Sequence, residues 1–211
     1  MLTLYYAPGA CSMASHIALE ETGAPYEAKP VSLAAGEQLK DEYLKNVNPR
    51  GKVPALRTDE GVLTENVAII AYLARAFPHA KLLPEDPLPL ARALSHMTWL
   101  TSAVHPAFTH IVRPERFATD TAAHDSIKAT GRENAWKFLQ EIDRLIDGNE
   151  YVLGSQYSAA EGYTLVFYGW GRGHGMPVEQ LGNYTALKDR LLQRPAVRKV
   201  IEREQSPLWR S

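Results

Sequence analysis

One cysteine, no long apolar run and no surplus of either charge set the first limits on this 211-residue chain. A lone Cys11 cannot form an internal disulfide, and without a second cysteine three residues on it cannot run a dithiol redox cycle by itself. It reads as a free thiol in a reducing, cytoplasmic setting. No apolar stretch approaches the roughly 20 residues that a membrane helix needs. The start, Met1-Leu2-Thr3-Leu4-Tyr5-Tyr6, runs into Pro8-Gly9 and lacks the basic flank and long apolar centre of a secretory signal. With 23 Lys and Arg against 24 Asp and Glu, the net charge of −1 offers no broad attraction to nucleic acid or to an anionic membrane. The arginines from Arg113 and Arg116 through Arg132, Arg172 and Arg194 to Arg198 and Arg203 are spread out and read as solvated surface and partner contacts. Metal is disfavoured as well: His105 and His110 are five apart, where a two-histidine helical face uses four, and no clustered acid joins them.

What is present is an ordinary globular composition, 45% hydrophobic and 22% charged, with periodicities that change type along the chain. Leu2 to Tyr6 predicts a strand, Pro8-Gly9 a turn, and Met13 to Thr22 a helix stopped by Gly23. Tyr26 to Leu33 predicts a second strand, placed at a sheet edge because Pro30 lacks a ladder donor. Gly36 to Asn46 is a short helix. The loop from Asn48 to Pro54 leads into a hairpin, Ala55 to Thr58 and Val62 to Thr64, turned at Asp59-Glu60-Gly61. From Glu65, the apolar set Val67, Ile70, Ala71, Ala74 and Phe77 predicts an amphipathic helix ended by Pro78.

The proline-rich stretch 80–88 predicts a linker, so the first unit is 1–79 and the second 89–211. In the second unit Leu90, Leu94, Met97, Thr101, Val104, Phe108 and Ile111 predict one long helix. Ile127, Gly131, Ala135, Phe138, Ile142 and Leu145 predict another. Ser158-Ala159-Ala160-Glu161 predicts a capping box opening a third, and short helices around 187–193 and 195–204 close the chain. The fold class is α/β followed by all-α, in the order βαβ-α-ββα and then helices.

Four places could carry chemistry. Cys11 falls where a strand hands over to a helix, so free helix amides should favour its thiolate, although a lone cysteine is as readily a small buried hydrophobe. Val53-Pro54 precedes a strand, where a cis bond would turn a backbone edge outward; most X-Pro bonds are trans. Thr64-Glu65-Asn66 opens a helix whose amides suit a carboxylate while Glu65 suits an ammonium, or it is merely a helix start. His105 could give a hydrogen bond or a positive charge at the boundary of the two units, or face solvent.

Taken together, Tyr5-Tyr6-Ala7-Pro8-Gly9-Ala10-Cys11-Ser12, Asn48-Pro49-Arg50-Gly51-Lys52-Val53-Pro54-Ala55-Leu56, Leu63-Thr64-Glu65-Asn66-Val67-Ala68-Ile69-Ile70-Ala71-Tyr72-Leu73 and the capping box after Gly154 resemble the glutathione transferase superfamily, and within it the bacterial beta class. The resemblance implies a thioredoxin-like first domain, an all-helical second one and a homodimer. It implies glutathione as co-substrate, with no other cofactor. Val53, before a cis Pro54, would pair its backbone with the cysteinyl part. Glu65 and Asn66 would take the γ-glutamyl end, with Leu33 and Lys52 also in the glutathione site. Cys11 would lie beside the glutathione sulfur, with His105, Ser12 and Tyr6 as further catalytic candidates. Phe108, Val112 and Trp170 would line the pocket for a small hydrophobic electrophile. The chain departs from the class pattern at Asn66, where serine is usual, at Pro106, where lysine often follows the histidine, and at Glu161-Gly162, where aspartate is usual.

The implied activity is attack of glutathione thiolate on an electrophile. Because two thiolates in contact repel, Cys11 is expected to stay protonated and donate to the glutathione sulfur, or to bond to it covalently. The alternatives are a glutathione-dependent thiol–disulfide reductase or reductive dehalogenase using Cys11, and a non-catalytic binding or scaffold protein of the same fold.

Overall fold

The computed structural model describes residues 1–206 and Trp209; the unit expected over 89–211 thus includes four positions, 207, 208, 210 and 211, that lie outside the described residues. Strands β1 (Leu2–Tyr6), β2 (Tyr26–Pro30), β3 (Ala55–Thr58) and β4 (Gly61–Thr64) form one sheet in the order β2-β1-β3-β4. β1 and β2 are parallel, and β3 runs antiparallel to both β1 and β4. Helix α1 (Met13–Glu21) makes the β1-to-β2 crossover, α2 (Asp41–Asn46) precedes the loop into β3, and α3 (Asn66–Ala76) follows β4. The thioredoxin-like order expected from the sequence is therefore present. β2 sits at the edge but ends at Pro30 rather than Leu33: Val31 still donates to the Tyr6 carbonyl at 2.7 Å, but β1 ends at Tyr6 and offers no further partner.

Helix α1 carries more of the fold than its pattern suggests. Met13, Ala14, Ile17, Ala18 and Leu19 are buried, and so are the polar Ser15 and His16. A helix covered on all sides lies between layers: α1 packs against β1 and α3 on one side and against α7 (Ala160–Gly173) and α9 (Pro195–Glu204) of the helical part on the other. Polar ties cross the same seam. Arg194 makes a two-pronged ion pair with Glu21 at 2.8 and 3.0 Å, and the Ala159 amide donates to the Leu82 carbonyl at 2.7 Å.

The helical part consists of α4 (Pro87–Trp99), α5 (His105–Val112), α6 (His124–Ile146), α7, α8 (Gly182–Leu192) and α9. Four sequence expectations need correction here. Pro87 and Pro89 belong to the first turn of α4, where a missing N–H costs nothing, so the linker ends before them. The long first helix is interrupted: Leu100–Val104 is a π-turn. Pro106 has no N–H for the Ser102 carbonyl and its ring crowds that carbonyl, and the wider turn relieves both. On α6 the buried line runs through Gly131, Ala135, Leu139, Ile142 and Ile146, leaving Leu145 exposed. Finally, the capping box is not formed. The Ser158 hydroxyl and Glu161 Oε1 are buried without a hydrogen-bond partner, and Glu161 Oε2 instead accepts from the Val152 amide at 3.4 Å.

Gly131 sets how close α5 comes to α6. A Cβ there would lie 2.6 Å from His110 Cβ and 2.8 Å from the Ala107 carbonyl oxygen, so the approach depends on hydrogen at that position. The result fixes α5 as one wall of the cleft between the sheet and the helices.

Candidate active site

A cavity of about 840 Å³ opens in that cleft. The first part of the chain contributes Cys11, Leu33, Lys52, Val53, Pro54, Glu65 and Asn66 to its lining. The helical part contributes His105, Phe108, Val112 and Trp170. Eleven of the residues singled out from the sequence thus meet around one space. Ser12 and Tyr6 do not. The Ser12 hydroxyl is buried between the Ala7 amide and carbonyl, at 3.0 and 3.3 Å, and holds the turn after β1. Tyr6 is buried with its ring against His16, centroids 4.7 Å apart.

The loop carrying Cys11 is fixed from three directions. Gly9 donates its amide to Glu204 at 3.2 Å, and its carbonyl accepts from the Trp170 indole N–H at 2.8 Å. Asn66 donates its side-chain amide to the Cys11 carbonyl at 3.1 Å, while Asn66 Oδ1 accepts from the Ser15 hydroxyl at 2.6 Å. Glu204 is itself buried against His16 Nδ1 at 2.8 Å. The position of Cys11 therefore depends on α1, α3, α7 and α9 at once.

The Cys11 thiol donates to the Val53 carbonyl at 3.7 Å, a sulfur-length contact that joins the two sequence motifs directly. Burial pushes its pKa up to about 11; the neighbouring Asn66 amide pulls the other way, Glu65 adds to the rise and Lys52 lowers it. A protonated thiol, expected from the repulsion of two thiolates, is thus favoured over the thiolate that helix amides alone would promote. The first-turn amides of Met13 and Ala14 are already engaged by the Ala10 and Cys11 carbonyls, both at 3.1 Å, so little helix-end potential is left to offset desolvation.

Val53 is presented by a braced loop. Tyr43 and Asn48 each donate to the Lys52 carbonyl at 2.8 Å, and the Val53–Pro54 peptide is cis, as the resemblance implies. Across the cavity, Glu65 has φ of 72° and ψ of 127°, a conformation that non-glycine residues rarely hold. It turns the chain sharply from β4 into α3, so that α3 starts at the cavity with first-turn amides that have no intrahelical partner. Because the Asn66 side chain is committed to Cys11 and Ser15, those amides and the Glu65 carboxylate are what α3 can offer a ligand.

On the helical side His105 packs edge-on to Trp170, with centroids 4.9 Å apart, and Phe108 meets Trp170 at 5.5 Å and Phe167 at 6.0 Å. Burial, and then the charges of Lys52 and Arg116, push the His105 pKa down to about 4. His105 is accordingly neutral near pH 7 and can serve as a hydrogen-bond partner but not as the positive charge that the sequence left open.

Sequence reasoning missed four contributors. Thr101 and Tyr163, whose hydroxyls lie 3.2 Å apart, reach the cavity beside the Cys11 sulfur. Thr101 was placed on the inner face of the helix but counted as an apolar packing position, not as a polar group reaching the cavity. Arg113 and Arg116, read as plain surface, line the mouth. Other arginines are engaged elsewhere, Arg203 with Glu20 and Arg132 with the His174 carbonyl. Among the described residues no group of three or more His, Cys, Asp or Glu is placed to hold a metal ion, and no helix is long and apolar enough to cross a membrane.

A thioredoxin-like sheet domain, a helical domain packed on it and a cleft joining a cysteine, a cis-proline edge and a helix start define a class of two-domain thiol-ligand proteins. The chain belongs to the glutathione S-transferase family. Residues 1–75 match the family described as glutathione S-transferase, N-terminal domain. Over 206 residues, 96% of this chain and 98% of the relative, it is 31% identical to glutathione S-transferase GstA of Escherichia coli O157:H7. It is 35% identical to a glutathione transferase homologue from Sulfitobacter solved with bound glutathione, with a TM-score of 0.91 over 96% of this chain and 98% of that one. To the beta class glutathione S-transferase of Sphingomonas chungbukensis it is 37% identical, with a TM-score of 0.85 over the same shares. The likeness to the beta class stated from the sequence is thereby supported.

Proposed function

We propose that the chain is a glutathione transferase that binds glutathione in the cleft and directs its thiolate at a hydrophobic electrophile. The observation that carries this reading is the Cys11 thiol, held protonated beside the Val53 backbone and facing an aromatic wall across the cavity. Residues 1–79 supply the glutathione half and 89–211 the electrophile half. The Val53 backbone pairs with the cysteinyl unit. The Glu65 carboxylate takes the ammonium group, the α3 amides the γ-glutamyl carboxylate, and Lys52 and Leu33 the glycyl end.

A protonated Cys11 can donate to the glutathione sulfur and stabilise it as a thiolate. The proton released by glutathione goes to solvent. The sulfur lone pair then forms the new carbon–sulfur bond, and with an aryl halide the halide departs with the electron pair of the bond that breaks. His105, being neutral, contributes a hydrogen bond, while Phe108, Val112 and Trp170 hold the ring. A thiol so far from ionisation is a poor nucleophile, which weighs against a primary role in disulfide reduction. The sulfur of bound glutathione, not Cys11, is the attacking atom. A cytoplasmic homodimer completes the proposal.

Calorimetry with glutathione and turnover of 1-chloro-2,4-dinitrobenzene test it together. Binding with turnover, and conjugation retained at a reduced rate in Cys11→Ala, is the expected result. Failure of both binding and turnover would leave a non-catalytic member of the fold, and disulfide reduction that vanishes in Cys11→Ala with no conjugation in either protein would make Cys11 the reactive thiol after all.

A further inference from the structure

The charges around the cavity do not balance, and the imbalance is on the electrophile side. Of the residues lining it, Lys52, Arg113 and Arg116 are cations while Glu65 is an acid. His105 and His174 are both pushed toward neutrality, by burial first and by nearby cations second. Through their side chains Arg113 and Arg116 make no hydrogen bond or ion pair among the described residues, although Glu115 lies between them in sequence. Arg116 is close enough to His105 to depress its pKa, so its charge is felt well inside the cleft. Glutathione, on the reading proposed above, uses Glu65 for its ammonium, the α3 amides for one carboxylate and Lys52 for the other. That leaves two guanidinium groups without a counterpart.

The lining beside them is largely apolar. Phe117 is 46% exposed and its ring lies against His110 with centroids 3.9 Å apart, and Val112 is 48% exposed on the last turn of α5. Phe108 and Trp170 form the floor beneath. A planar ring fits such a slot, and a carboxylate on its outer edge would reach the arginines, whose planar donor forks match that group.

We infer that the electrophile of this enzyme is an aromatic acid: an activated ring carrying a carboxylate that Arg113 and Arg116 hold at the mouth. Conjugation then proceeds with the same atom balance as above, the carboxylate taking no part in bond changes.

This inference rests on the transferase reading, and the test separates the two. The probes are two S-conjugates, S-(4-carboxy-2-nitrophenyl)glutathione and its neutral carboxamide isostere, with glutathione alone as the third ligand, all measured by calorimetry. The carboxylate is expected to bind roughly fivefold more tightly than the amide at low salt, the size that two partly exposed ion pairs supply. The difference should shrink as salt is added. In the double variant Arg113→Gln, Arg116→Gln the ratio should fall to about one. A second readout follows kcat/KM for 4-chloro-3-nitrobenzoate against 4-chloro-3-nitrobenzamide, each divided by its uncatalysed rate with glutathione because the amide activates the ring more, and there the same ratio and the same collapse are expected. Equal affinity for both conjugates in the parent overturns the inference while leaving the transferase intact. So does a double variant that weakens glutathione itself as much as the carboxylate conjugate, because the arginines would then serve the glycyl end. Failure to bind glutathione at all sinks the transferase reading and this inference with it.

Discussion

Asn66→Ala should be more damaging than its position at a helix start suggests. The side chain is almost fully buried and spends its amide on the Cys11 carbonyl and its oxygen on the fully buried Ser15 hydroxyl. Removing it leaves the Cys11 carbonyl with the Ala14 amide, so that acceptor is not orphaned. The Ser15 hydroxyl, fully buried in the intact chain, does lose its acceptor. An unsatisfied buried donor costs about 1–3 kcal/mol. For a chain of 211 residues, where each kcal/mol shifts the midpoint by about 2–4 °C, a cost of ~2 kcal/mol lowers Tm by about 4–8 °C. Scanning calorimetry reads this directly. In Ser15→Ala/Asn66→Ala both partners go, no donor is stranded, and the double variant should recover about 1 kcal/mol relative to the sum of the singles.

The same substitution has a chemical signature. Asn66 is a group that lowers the Cys11 pKa, so its loss moves the thiol further above about 11. At pH 8 a thiol of pKa near 11 is only about one part in a thousand ionised, against roughly a quarter for a free cysteine at 8.5. Alkylation of Cys11 by iodoacetamide should therefore run about two orders of magnitude slower than for a free thiol in the parent, and slower still in Asn66→Ala. A Tm change under a degree, additive double-variant costs, or faster alkylation in Asn66→Ala would refute the assignment of Asn66 as the brace between α1 and α3.

Trp170→Phe keeps the ring packing against His105 and Phe108 but strands the Gly9 carbonyl. A stability loss of about 1 kcal/mol is expected, with KM for glutathione raised more than kcat is lowered, both read from calorimetry and initial rates; an unchanged KM would show that the loop keeps its place without the indole. Glu161 gives a pH test. Burial pushes its carboxyl up to about 8, whereas His96 and His105 are pushed down to about 4. Between pH 6.5 and 8 the folded chain keeps the Glu161 proton that the unfolded chain has lost, so stability falls as pH rises, by up to about 1.4 kcal/mol per pH unit. Below pH 6.5 the two histidines, neutral when folded and charged when unfolded, make stability fall as pH drops. Glu161→Gln should flatten the alkaline decline in Tm and steepen the acid decline, because the raised Glu161 carboxyl opposes the histidines between pH 4.5 and 6.5. A parallel decline in both proteins from pH 6.5 to 8 would sink this account.

Strands, the crossover helix and the proline loop were legible because each rests on local chemistry: alternation in β1, glycine in the β3–β4 turn, an edge tolerance for Pro30. Half of the cleft was legible for a different reason. Cys11, Val53-Pro54 and Glu65-Asn66 are each ambiguous alone and become informative only as a set. What sequence could not weigh was desolvation against helix-end potential, since that depends on what covers Cys11 and on which carbonyls have already taken the α1 amides. Ser12 misled for the same reason, its hydroxyl being consumed by Ala7 one turn away.

Pro106 shows where the two levels meet. The sequence showed a proline inside an otherwise periodic helix and a departure from the class pattern, which registered as a lost cation. Its structural effect reaches the residues before it. By denying Ser102 a donor, Pro106 accompanies the π-turn at Leu100–Val104. At and just after that turn, Thr101 lies beside Tyr163 and His105 against Trp170, both lining the cleft. Where the class often carries lysine beside His105, this chain has Pro106, and Arg113 and Arg116, just past the end of α5, line the same cavity. A periodicity argument counts residues at a fixed pitch: it placed Met97, Thr101, Val104 and Phe108 on the inner face, but it could not show that the pitch widens between them.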